Sequence, residues 1–276
     1  MRHPSSSPGP ARRLLLFVLL GCALASAALA GRGAQSSFDH GHALWTEVLR
    51  SCVRGDGFDY AKLKQDPAKL RAYLDALHAV TPAELAGWSE AQRFAFWINV
   101  YNAHTIQKVI ENYPLKSIRK LDGAFGISTV FENRFIPMPA HHPEGKDDEL
   151  ALNDVEHKIL RAQFKDARLH AAINCASKSC PPLRNEAFVA ERLDQQLQEQ
   201  MKTFVLDPAR NHIDPAQKEL AVSEIFKWFS EDFERDAKSV QEYLIRYVSP
   251  EQADFLRSAK LRYLDYDWDL NDVPKK

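Results

Sequence analysis

The chain has 276 residues, with 36 Lys+Arg against 37 Asp+Glu, and 45% of its residues are hydrophobic. That composition is ordinary for a globular protein, and the length suffices for one large core or two small ones. A net charge of -1 excludes the concentrated basic face that nucleic-acid binding requires.

Residues 1–30 read as a secretory signal. Arg2, Arg12 and Arg13 form a positive segment without an acid, Leu14 to Leu20 is an uninterrupted apolar run, and Ala28-Leu29-Ala30 supplies the small-x-small pattern for cleavage before Gly31. The 17 residues from Leu14 to Ala30 stand at the lower limit for spanning a hydrocarbon core, so a retained anchor is the second reading. Leu19-Leu20-Gly21-Cys22 offers lipidation at Cys22 as an alternative, with Leu20 a poor fit. Cleavage lowers Lys+Arg from 36 to 33 against 37 Asp+Glu, a net charge of -4. The expected location is periplasmic or secreted, with membrane contact only through an N-terminal anchor or lipid.

Gly31 to Ser37 reads as a flexible linker, and residues 38–276 as a single domain. Phe38 to Val53 carries apolar residues at helical spacing, and Asp66-Pro67 starts a helix to about His78. Thr81-Pro82 opens a short helical turn. Ser89 and Arg93 onward begin a long helix that ends before Pro114. Phe131 to Met138 alternates like a strand, and Asn153 or Asp154 caps a helix through Phe164. Leu169 to Ile173 reads as a short buried strand feeding the turn-rich segment Asn174 to Pro182. Further helices are expected over Glu186–Phe204, Ser223–Phe233, Ser239–Tyr247 and Pro250–Ala259, before a β-leaning stretch from Leu261 to Leu270. Many helices with a few scattered strands predict an α+β fold, mostly helical, with a small antiparallel or mixed sheet.

The long helix is apolar on nearly every side through Phe94 to His104, which places it in a core. Asn99 and Asn102 share a face, where buried amides need partners. They either fix a neighbouring loop or orient a catalytic group. His104, His141, His142 and His212 take a solvated or structural role by default.

His170 through Leu183 is the most informative segment, with two thiols in a small-residue loop where a rigid scaffold would expose them. His170 lies five residues before Cys175, and His157 stands beside Glu156 on the preceding helix. Lys178 adds positive charge that favours thiolate. Three readings compete. Cys175 or Cys180 is a nucleophile activated by His157 or His170; or the two form a disulfide, which export permits; or they bind zinc with a histidine. The zinc reading is weakest, because the four-residue gap is wide and no second ligand pair accompanies it. Cys52, Cys175 and Cys180 are an odd number after cleavage, so at least one thiol is unpaired in a monomer.

These residues resemble the domain-of-unknown-function family 547 (DUF547), found in many exported bacterial proteins. The resemblance is carried by Phe96 through Ala103, Asp154-Val155-Glu156-His157, His170 through Leu183, and Tyr266 through Asn271. It implies one domain and raises Asn99, Asn102, Glu156, His157, His170, Cys175 and Cys180 above other polar residues. It also brings the C-terminal aromatic stretch back as a wall of the same site. A papain-like or transglutaminase-like relationship is a fold-level analogy. Papain-like enzymes place the cysteine at a helix N-terminus ahead of the histidine, whereas His157 and His170 precede Cys175 here, so the resemblance allows a rearranged or inactive version.

The leading expectation is a thiol-dependent hydrolase or acyl transferase on an amide, ester or thioester of a small molecule or peptide. In it Cys175 attacks, His157 is the base, Glu156 or Asn102 orients, and Cys180 is an alternative nucleophile or disulfide partner. The alternative is a noncatalytic envelope binding module with a structural Cys175–Cys180 bridge. No cofactor or metal is expected.

Overall fold

The computed structural model describes residues 38–123 and 128–274. The expected signal segment and linker lie outside the described residues.

Helix α1 (Ala43–Cys52) turns Trp45, Val48, Leu49 and Cys52 inward, the stripe of an amphipathic helix. A short antiparallel pair follows, β1 (Val53–Arg54) with β2 (Gly57–Phe58). Asp59 caps α2 (Tyr60–Gln65) by accepting from the Lys62 amide at 2.9 Å. Helix α3 (Ala68–His78) starts just after Pro67, and Thr81 caps α4 (Pro82–Ala86). The long helix α5 (Glu90–Asn112) opens on a capping box: Ser89 Oγ accepts from the Gln92 amide, and Gln92 Oε1 accepts from the Ser89 amide. It is buried on every side from Phe94 to Ile106, as its all-round apolar sequence requires.

The expected strand Phe131–Met138 contracts to β3 (Arg134–Ile136), which pairs antiparallel with β4 (Leu150–Ala151) through an irregular register. Asp154 does not cap the next helix. Its carboxylate accepts from the Ala151 amide at 2.9 Å, tying the helix back to β4. That helix begins as a π-helical stretch over Asp154–Leu160 and continues as α6 (Arg161–Phe164), with the Arg161 amide reaching the Glu156 carbonyl five residues back.

Leu169–Ile173, expected as a strand, is instead the buried helical turn α7 (Leu169–Ala172), with Ile173 alone extended. Leu-His-Ala-Ala has two strong helix formers and no β-branched residue, so nothing local opposes the turn. The helix expected from Glu186 starts later, as α8 (Leu193–Leu206). Glu186 binds Arg184, Arg192 and Gln196 instead, which holds the preceding chain outside the helix.

Strands β5 (His212–Asp214) and β6 (Glu219–Val222) form an antiparallel hairpin. The helix expected over Ser223–Phe233 breaks at Phe229 (φ -115°, ψ 28°) into α9 (Ile225–Trp228) and α10 (Ser230–Ala237). Helices α11 (Val240–Ile245) and α12 (Pro250–Ser258) follow, and β7 (Arg262–Tyr263) adds parallel to β6. The fold is α+β, mostly helical, with small antiparallel and mixed sheets, as expected. One buried cluster gathers around α5, and a second joins α8 to α9, α10 and α11. The segment from α7 to Cys180 runs beside both.

Candidate functional site

The cysteine loop is positioned by amides from below. Asn102 uses both ends of its side chain on the backbone leaving α7: Nδ2 donates to the Ala172 carbonyl at 2.9 Å, and Oδ1 accepts from the Asn174 amide at 2.8 Å. Asn99 clamps Phe188 in the same way, donating to its carbonyl and accepting from its amide. Asn174 then folds the loop, accepting from the Ala176 amide and donating to the Pro181 carbonyl, so that Ala176 sits at φ 63° in the left-handed region. Arg210, buried, donates to the carbonyls of Cys180 and Lys178. These bonds satisfy backbone groups that an irregular buried segment would otherwise leave unpaired.

Cys175 and Cys180 are joined by a disulfide, with their Cα atoms 6.3 Å apart. The polar side chains at the sulfurs are hydroxyls. Ser177 Oγ is 3.2 Å from Cys175 Sγ, the Tyr266 hydroxyl is 3.2 Å from each sulfur, and Ser177 donates to Tyr266 at 2.9 Å. The C-terminal strand segment brings Tyr266 there. The Lys178 amide donates to the Asp269 carbonyl, the Asp267 amide to Ser179 Oγ, and the Asn271 amide to the Ala176 carbonyl. Burial pushes the Tyr266 hydroxyl well above its usual value, so it stays a neutral donor.

A second group of titratable side chains lies under the loop. Asp232, on α10, accepts from Arg161 Nε at 2.6 Å and from Arg235 Nη1 at 2.8 Å. His170 Nε2 stands 2.8 Å from the same carboxylate, and its ring stacks on Phe229 at 3.9 Å. Burial favours the neutral Asp232 carboxyl, but the hydrogen bonds from His170 and Arg161 outweigh it and hold this group well below the usual carboxylate range. With Asp232 ionised, Nε2 carries the ring proton and donates it. The His170 Nδ1 atom is then a lone pair; it is buried without a hydrogen-bond partner, 3.9 Å from Glu156 Oε1. Burial pushes Glu156 up to about 7, against the Tyr101 hydroxyl and Arg161, which favour its ionised form. Burial also pushes His170 down to about 4, against Asp232. At neutral pH the result is a neutral imidazole beside a carboxyl poised to exchange its proton.

Residues 85–205 match the model of a family described as "Protein of unknown function, DUF547". That stretch is similar to the DUF547 family. No curated protein and no solved structure matches the chain. The DUF547 match takes in α5, the π-helical stretch, α7 and the whole cysteine loop, but ends before Arg210, Asp232 and Tyr266.

Within the DUF547 region the structure brings Asn102, Cys175 and Cys180 together, and separately Glu156 and His170. His157 is exposed, with Nδ1 3.2 Å from Arg161 Nη1 and its ring 6.1 Å from Phe229, on which His170 stacks. Consecutive helical residues project in different directions, which turns it away from its buried neighbour Glu156. The Lys178 ammonium is drawn to Asp269 at 3.1 Å and Asp267 at 3.9 Å, so its charge is offset by acids. Asp232 is absent from the sequence expectations; it is buried on α10, and a buried acid needs a charged or hydrogen-bonding partner. Tyr266, in the C-terminal aromatic stretch, carries the hydroxyl that meets both sulfurs. Cys52 is buried and unpaired, with its thiol pushed up by burial, in keeping with a structural thiol.

Proposed function

We propose that the chain is an exported, noncatalytic binding module of the bacterial envelope, residues 38–276 acting as one domain, in which the bridged Cys175–Cys180 loop is the rigid part of the binding surface. The observation that carries this reading is the bridge itself: both thiols are consumed, and the side chains around them are Ser177 and Tyr266, without an imidazole in hydrogen-bond reach among the described residues. A nucleophile needs a free thiolate and an adjacent base. Asn102 spends one N–H and one oxygen lone pair on the loop backbone, which makes it a clamp for the loop.

One observation favours the thiol-dependent hydrolase or acyl transferase as a second reading. His170 has one nitrogen on a carboxylate and the other unpartnered, the arrangement of a base awaiting a nucleophile. This reading requires reduced Cys175. The two are separated by assaying amide, ester and thioester probes with protein exported under oxidising conditions, before and after treatment with a dithiol reductant. The binding reading expects no turnover in either state; turnover that appears on reduction and disappears in Cys175→Ser overturns it.

A further inference from the structure

His78 closes α3 and His104 sits midway along α5, and their Nε2 atoms face each other at 3.3 Å across rings whose centroids are 5.2 Å apart. Two imidazoles bound to one ion through Nε2 obey a simple geometry. With a Zn–N distance of about 2.05 Å and a tetrahedral angle, the two nitrogens stand about 3.3 Å apart. A ring centroid lies a little over 1 Å behind its nitrogen, which puts the centroids of such a pair about 5.2 Å apart. A square-planar right angle would bring the nitrogens to about 2.9 Å, and a linear pair would separate them to about 4.1 Å. The observed spacings match the tetrahedral case rather than the other two, at a separation that an N–H···N hydrogen bond also spans.

The surroundings fix the protonation that ligation needs. Gln107 Nε2 donates to Glu111 Oε1 at 2.9 Å, which turns the Gln107 carbonyl oxygen toward His104 Nδ1 at 3.0 Å. Nδ1 therefore carries the proton and Nε2 presents its lone pair, the same outer hydrogen bond that orients metal-bound histidines. His104 is fully buried, and His78 is half-buried at the end of its helix.

We propose that His78 and His104 form a two-imidazole chelate for a tetrahedral first-row divalent ion, Zn2+ by preference, with water in the other positions. Among the described residues no third His, Cys, Asp or Glu completes the cluster. The site is therefore open and of modest affinity, unlike the closed four-ligand sites that hold structural zinc.

The test uses the full chain, labelled with 15N-histidine and titrated with Zn2+ and, for its visible absorption, with Co2+. Both His78 and His104 Nε2 resonances should move on adding Zn2+, the Co2+ complex should show tetrahedral absorption, and His78→Ala should weaken Zn2+ binding at least tenfold. Gln107→Leu, which keeps both ligands and removes the orienting bond, should weaken it several-fold. Zn2+ binding that leaves these two resonances unmoved, or that persists undiminished in His78→Ala, overturns the proposal and leaves the pair as an ordinary N–H···N hydrogen bond. The resonance readout needs no variant, so misfolding of His78→Ala would not obscure the answer.

Discussion

His170 Nε2 lies 2.8 Å from Asp232 Oδ2, although 62 positions separate the two in sequence. The pair joins the DUF547 region to a helix beyond it, and it decides which imidazole nitrogen holds the proton. Asp232→Asn should therefore do more than remove a charge. It leaves His170, Arg161 and Arg235 facing an uncharged amide with one acceptor oxygen in place of the carboxylate, and breaking such a buried pair costs about 3–5 kcal/mol. Chemical denaturation should show a loss of that size, whereas His157→Ala, at an exposed position, should change stability by less than about 0.5 kcal/mol.

The pH dependence of stability separates Glu156 from His170. The Glu156 carboxyl is raised from 4.5 to about 7, so its contribution is full below 4.5 and is lost as pH rises through 7. The His170 imidazole is lowered from 6.5 to about 4, so its contribution is full above 6.5 and is lost as pH falls through 4. The two oppose one another between these limits. Glu156→Gln removes the first effect alone. Relative to the wild-type chain, the variant should gain stability between pH 5 and pH 8 by up to about 3 kcal/mol, measured by denaturation at each pH. A parallel pH profile for the two proteins would show that Glu156 titrates normally.

Asn102 is a structural clamp in this arrangement. Asn102→Ala leaves the Ala172 carbonyl and the Asn174 amide unpaired in a buried setting, at about 1–3 kcal/mol each. A loss of about 2–4 kcal/mol is expected, together with faster amide hydrogen exchange across the cysteine loop. An effect confined to a ligand or substrate assay, with stability unchanged, would assign Asn102 to chemistry instead.

Tyr266→Phe deletes one hydroxyl that meets Ser177 and both sulfurs. The expected cost is about 1–2 kcal/mol, with the tail still in place because its backbone bonds to Ala176 and Lys178 do not involve that hydroxyl. Thermal denaturation of the two proteins measures it.

Much of this was legible in the sequence, for reasons that differ by residue. The capping box at Ser89, the proline starts of α3, α4 and α12, and the all-round apolar helix α5 follow from local chemistry that no tertiary contact reverses. Leu169–Ala172 was misread because a short apolar run has no decisive period, and the choice between turn and strand rests on a partner strand the sequence does not show. Glu156 and His157 are neighbours in sequence, but successive residues of a helix project in different directions, so one is buried and the other exposed; which of the two faces inward depends on packing against distant elements. The site's outlying members, Asp232 and Tyr266, are brought in by long-range packing, which spacing does not encode. Tyr266 in particular is delivered by backbone pairing of the C-terminal segment with the loop, a contact made by groups that every residue carries.

The bridge between Cys175 and Cys180 is the feature on which the binding reading stands. It is tested most directly by alkylating the protein, exported under oxidising conditions, without reductant and weighing the peptide that spans both cysteines. The expected result is a peptide carrying no label and lighter by two hydrogens than its reduced form, with labels on both thiols only after reduction. Selective labelling of Cys175 in the untreated protein, lost in His170→Ala, would contradict it.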